Sequence, residues 1–259
     1  MDCNWRSDMA DLIKDGLQTQ GEQIYSFLLI GQSNMAGRGE FADVEPIKNK
    51  NCRMLRMGRW QTMSEPINPD RAILSGKYHS GVCLAASFAD AISSANECKV
   101  GLIPCADGGT RLDQWMPGEI LYDHAVMMTR LALRTSKLAG ILWHQGESDC
   151  NSQELVDTYK ERFLTMITSL RRDLDAEDVP VIIGELSKKI DPEHYGRGVR
   201  ISQMNEIFHE ISQCITRCGV VSSDGLTLKA DGIHFDSVSL REFGLRYAAE
   251  YERFSMIEK

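Results

Sequence analysis

Two short segments at opposite ends of the chain hold the residue types that acyl transfer requires. In the stretch Tyr25–Gly39, an apolar run ends at Gly31 and Ser33 follows at once in a polar, glycine-rich turn. A rigid strand ending in small residues is a way to present a reactive hydroxyl with room for a substrate. Serines in such loops more often cap helices or satisfy turns, so Ser33 gains weight only with partners. The second segment, Asp231-Gly-Ile-His234, supplies an acid and a base. Ser33 as nucleophile, His234 as base and Asp231 as the group orienting the imidazole would make a triad. The plainer reading of Asp231 and His234 is a helix-capping Asp and a surface His ahead of the last helix.

Two further clusters could supply the rest of the chemistry. Gly108-Gly109 offers backbone N–H groups without a side chain in the way, and a plain turn is the competing reading. Gln145 could donate its side-chain amide, so that Ser33, Gly108 and Gln145 would together form an oxyanion hole. Glu147 has several readings: it could orient His234 in place of Asp231, assist it, or pair with Arg111. His144 reads as a hydrogen-bonding residue behind the site, because no matched carboxylate-and-His pattern accompanies it as metal ligands. His79, His124, His194 and His209 read as surface or packing residues. Trp60, Trp115 and Tyr78 are candidates for flanking a sugar, with loop packing as the alternative.

These groups need a scaffold that brings them to one place. Apolar runs predict strands at Gln23–Ile30, Asn51–Met57, Lys99–Pro104, Leu138–His144, Val179–Glu185 and Arg217–Ser222. Helical patterns cover Val82–Ser94, Glu119–Ser136, Ser152–Leu174, Gly198–Cys214 and Ser237–Ile257. Strand and helix alternating in this way imply an α/β fold, a parallel sheet covered on both faces. The segment Arg38–Tyr78, with Pro46, Pro66 and Pro69, breaks the rhythm and reads as long loops around one short strand, lying over the site. Ligands in such sheets sit beyond the carboxyl ends of the strands. The clusters at Ser33, Gly108, Gln145 and Asp224–Asp236 would therefore share one rim.

The 259 residues suit one domain spanning 1–259, with residues 1–22 as an N-terminal extension. A formal net charge of −8 argues against nucleic acid or an anionic membrane as partner. No apolar run approaches the roughly 20 residues of a membrane-spanning helix, and the polar N-terminus does not read as a signal peptide. A cytoplasmic location is the resulting expectation. The eight cysteines lack the spacing of a zinc site and read as reduced, mostly buried small hydrophobes. No metal or other cofactor is expected, and oligomeric state is not legible.

The motifs GQSNMAGRG (Gly31–Gly39), GGTRLDQW (Gly108–Trp115), WHQGESD (Trp143–Asp149) and DGIHFD (Asp231–Asp236) resemble those of the sialate O-acetylesterase-like family. That family includes the carbohydrate esterases of family six, among them acetylxylan esterases, and belongs to the SGNH hydrolase superfamily. The resemblance runs from about Gln23 to the C-terminus. It implies a three-layer α/β/α, flavodoxin-like fold and metal-free removal of acetyl groups from esterified sugars. It carries over Ser33 as nucleophile, His234 as base, Gly108 and Gln145 as oxyanion donors, and Asp231 as acid, with Glu147 in that role in some members. The segment His79–Cys83 departs from the Gly/Pro-rich pattern common in the family. The expected substrate is an acetylated sugar or xylo-oligosaccharide. A general short-chain esterase or lipase of the same superfamily, and a catalytically silent sugar-binding protein, are the competing readings.

Overall fold

The computed structural model describes residues 23–68, 80–190 and 198–257. The N-terminal extension 1–22, Pro69, Tyr78, His79 and His194 lie outside the described residues.

The architecture is built outward from β1 (Ile24–Gly31), whose residues are all buried. Its side chains alternate between two cores. Ile24, Leu28 and Ile30 face one, while Tyr25, Phe27 and Leu29 face the other. Such two-sided burial is what a continuous apolar run in a parallel sheet signifies. The sheet has seven strands: β2 (Cys52–Arg56), β3 (Arg59–Thr62), β4 (Lys99–Pro104), β5 (Lys137–His144), β6 (Val181–Gly184) and β7 (Cys218–Val221) join β1 in the order β3-β2-β4-β1-β5-β6-β7. All neighbours pair in parallel except β3 with β2.

Helices cover both faces, giving three layers. On one lie α2 (Leu84–Asn96) and α7 (Ser237–Glu252), where Phe27 meets Phe88 and Tyr251 edge-to-face at 4.8 and 5.0 Å. On the other are α3 (Ile120–Ala132), the short α4 (Gln153–Asp157), α5 (Tyr159–Asp173) and α6 (Gly198–Cys214), with Trp143 packed against Trp115 and Phe163. A four-residue helix α1 (Ser33–Ala36) follows β1 directly.

Three expectations change. Arg38–Tyr78 contains a hairpin rather than one strand: Met57 and Gly58 take φ of 50° and 75°, the left-handed pair that closes a two-residue β-turn. Ser152–Leu174 is two helices, broken at Thr158. Trp60 and Trp115 are core residues, 4% and 1% exposed, with indole N–H groups bonded to Thr135 and Thr110. They do not flank a sugar.

Chain order reverses at β1, since later strands are added on either side of it. In open α/β sheets that is where a crevice forms at the strand ends. Registration there is tight: Gly31 aligns with His144 and the Gln32 N–H donates to His144 O at 2.9 Å. Gly31 has φ 130°, and a Cβ on it would lie 2.2 Å from His144 O. Gly31→Ala must therefore push β1 and β5 apart or distort the chain ahead of Ser33. We expect a loss of about 3 kcal/mol in urea unfolding. A change within about 0.5 kcal/mol, the range of neutral surface substitutions, would contradict this account.

Candidate active site

Ser33 is the first residue of α1 and lies at the carboxyl end of β1, 6% exposed. Its Oγ is 2.9 Å from His234 Nε2, and His234 Nδ1 is 2.8 Å from Asp231 Oδ2. His234 arrives on a small hairpin, residues 227–236. Leu228 and Phe235 bridge, Lys229 N–H donates to His234 O, and Asp236 N–H donates to Thr227 O. Phe235 is fully buried beneath it, edge-on to His144 and Phe243. Lys229 Nζ ties the hairpin's other arm to Arg38 O and Glu40, both at 2.6 Å.

Asp231 is not the helix cap. Asp236 fills that position on α7, accepting from Ser239 N–H at 2.8 Å. This leaves Asp231 to accept from the Ile233 and His234 N–H groups with Oδ1, both at 3.0 Å, and to present Oδ2 to the imidazole. Burial alone would raise its carboxyl. The His234 N–H, the His234 ring and the Ile233 N–H outweigh that and hold it below its ordinary value.

Gly108 follows β4 and lies beside Arg38 and Ser33: a Cβ placed on it would lie 2.5 Å from Arg38 Nη2 and 3.8 Å from Ser33 Cβ. Among the described residues, neither the Ser33 nor the Gly108 N–H has an acceptor. Gln145 differs from expectation. It is fully buried, and its amide nitrogen faces Asp149 at 2.7 Å, Thr110 O at 3.0 Å and Gln32 Oε1 at 3.3 Å. Its Oε1 accepts from Tyr159 at 2.8 Å. With its donors so engaged, Gln145 braces the Gln32 and Thr110 loops rather than facing the serine. Asp149, which sequence reasoning passed over, anchors this brace through Leu112 N–H and Arg162.

Glu147 does not reach His234. It is 1% exposed and accepts from Asn34 Nδ2 at 2.7 Å, with His144 Nε2 at 3.6 Å. Burial would raise this carboxyl, while His144 and Asn34 bring it below its ordinary value. Nor does it pair with Arg111, which binds Asp113. His144 is fully buried with Nδ1 3.2 Å from Tyr247 OH. His209 is exposed and contacts Glu185, and His124 is half-buried on α3. The described cysteines are all free, and burial raises the thiols of Cys52 and Cys83 to about 12. Among the described residues no group of His, Cys, Asp and Glu could hold a metal ion, and no helix is long and apolar enough to cross a membrane.

Because the Asp231 and Glu147 carboxyls lie below their unfolded values, their contribution to stability is fully present above pH about 4.3 and is lost as the pH falls through the lower folded values. Circular dichroism during acid titration should show the fold retained at about pH 4.5, with unfolding beginning below about pH 4. Stability that does not fall between about pH 4.5 and pH 3 would rule out that contribution.

Residues 23–253 match the family described as carbohydrate esterase, sialic acid-specific acetylesterase. A protein of Arabidopsis thaliana named as a probable carbohydrate esterase is 30% identical over 244 residues, covering 87% of this chain and 89% of its own. Its crystal structure superposes with a TM-score of 0.80 at 27% identity, over 90% of this chain and 98% of that one. The structure of NanS aligns with a TM-score of 0.71 at 17% identity, over 90% and 98% of the two chains. A lipase/acylhydrolase from Enterococcus faecalis aligns at 0.57 and 15%, over 91% and 99%. These last two speak for the fold alone. The chain belongs to the carbohydrate esterase, sialic acid-specific acetylesterase family, and is thereby a carboxylic ester hydrolase.

Proposed function

We propose that the protein is a serine O-acetylesterase acting on acetylated sugars through an acetyl-enzyme. The observation that carries this reading is the unbroken chain from Ser33 Oγ through His234 to Asp231, at 2.9 and 2.8 Å, beside two N–H groups without an acceptor among the described residues. Family membership and the name of the Arabidopsis relative support a sugar ester as substrate.

In this reading Ser33 Oγ attacks the acetyl carbonyl as its proton passes to His234 Nε2. The negative charge that develops on the carbonyl oxygen meets the Ser33 and Gly108 N–H groups. Asp231 holds the ring with Nδ1 protonated and stabilises the imidazolium. Collapse breaks the ester bond, and His234 returns the proton to the departing sugar hydroxyl. Water then attacks acetyl-Ser33, giving its proton to His234, and acetate leaves with the serine restored. No step calls on a metal.

Acetate release from acetylated xylo-oligosaccharides, acetylated hexoses and O-acetyl sialic acid would identify the sugar. Ser33→Ala should lower kcat by about 10⁴-fold or more; undiminished hydrolysis would overturn the mechanism. Asp231→Asn should cost about 10⁴ in kcat with an intact fold, the effect of losing the residue that holds the base. Rates should fall steeply from acetyl to butyryl esters, and tolerance of long acyl chains would favour a lipase instead.

A further inference from the structure

We propose that Glu147 is a positioning residue that acts on His234 through Asn34, and is not the acid of the base. This rests on the reading of His234 as the general base.

Asn34 follows the serine directly and is 1% exposed. Its amide spans the two residues flanking His234: Nδ2 donates to Ile233 O at 3.3 Å, and Oδ1 accepts from Phe235 N–H at 3.1 Å. The same Nδ2 donates to Glu147 Oε1 at 2.7 Å. Which way the amide points is settled by its neighbours. A carboxylate and a carbonyl only accept, and a backbone N–H only donates, so all three demand this orientation. Asn34 therefore pins the base-bearing turn to the helix that carries the nucleophile.

His144 stands behind Glu147 without bonding to it. The hydroxyl hydrogen of Tyr247 goes to Trp143 O at 2.9 Å, leaving its oxygen to accept from His144 Nδ1 at 3.2 Å. His144 Nε2 then lies 3.6 Å from Glu147 Oε1, beyond hydrogen-bond distance, and has no hydrogen-bond partner among the described residues. The second carboxylate oxygen, Oε2, has no hydrogen-bond partner among the described residues. A buried carboxylate with one short hydrogen bond concentrates its restraint on that bond, and here the bond leads to Asn34. Displacing a base by a fraction of its hydrogen-bond length is enough to reduce turnover sharply.

The experiment separates acceptor from charge. Glu147→Gln keeps an oxygen for Asn34 Nδ2 and removes the charge. Glu147→Met keeps the length and removes the acceptor. On an acetyl ester, Glu147→Gln should keep kcat within about tenfold of the parent, and Glu147→Met and Asn34→Ala should each lower it by about 10- to 100-fold with KM little changed. The double variant should be no worse than Asn34→Ala alone, because both remove one linkage. Glu147→Gln as damaging as Asp231→Asn would make Glu147 the acid and overturn the proposal. So would additive losses in the double variant, or Asn34→Ala at parental kcat. Should Glu147→Met fail to fold, the Gln and Asn34 arms decide. The downfield Nδ1 proton resonance of His234 reads ring placement without turnover: it should persist in Glu147→Gln and broaden or shift in Asn34→Ala. An unmoved resonance in Asn34→Ala overturns the proposal. Absence of acetate release by the parent protein would instead sink the esterase reading, leaving the resonance to test the positioning.

Discussion

Everything at the site depends on the registration of β1 against β5. Gly31 lies beside His144, close enough that no side chain could stand between them, and the chain leaves the sheet through the hydrogen bond from Gln32 to His144 O. From that junction Ser33 and Asn34 emerge on one side, and Gln145 and Glu147 on the other. The helices on the two faces press on this pair of strands through Phe27 and Trp143, and packed interiors resist small displacements. The position of the serine hydroxyl is thus inherited from the core rather than from the loop that carries it.

Around this junction the polar side chains of Gln32, Asn34, His144, Gln145, Glu147 and Asp149 are among those buried. Burying so many is costly unless partners are found. The partners are loop backbones as often as side chains. Gln145 takes Thr110 O, Asp149 takes Leu112 N–H, and Asn34 takes Ile233 O and Phe235 N–H. Each of these contacts ties a loop that sequence places far away, so the cost of burial and the gathering of the site are one arrangement.

Much of this was legible in the sequence. Continuous apolar runs alternating with helical periodicity located the parallel sheet, because strands covered on both faces cannot hide their composition. Ser33, Asp231 and His234 were legible because they follow apolar runs or sit in a short polar motif. The failures share a physical reason, which is that residue type does not state which way a side chain faces. Trp60 and Trp115, candidates for flanking a sugar with packing as the alternative, lie in the core, their N–H groups satisfied by nearby threonines. Gln145 has the right chemistry for an oxyanion donor, yet its amide is taken by Asp149 and Thr110. The β3 hairpin escaped notice because Met57, rather than Asn or Gly, takes the first left-handed turn position. Glu147 left three roles open in the sequence, and only distances separate them.

Exposure along the hydrogen-bonded chain from Asp231 through His234 to Ser33 runs in one direction. The Asp231 side chain is 40% exposed and His234 20%, whereas Ser33 is 6% and Glu147 1% exposed. The outer end of this chain is wet and the Glu147 carboxylate behind it is dry. Dissolved ions therefore reach the carboxylate that faces the imidazole, but not the buried one of Glu147, since screening fades with burial.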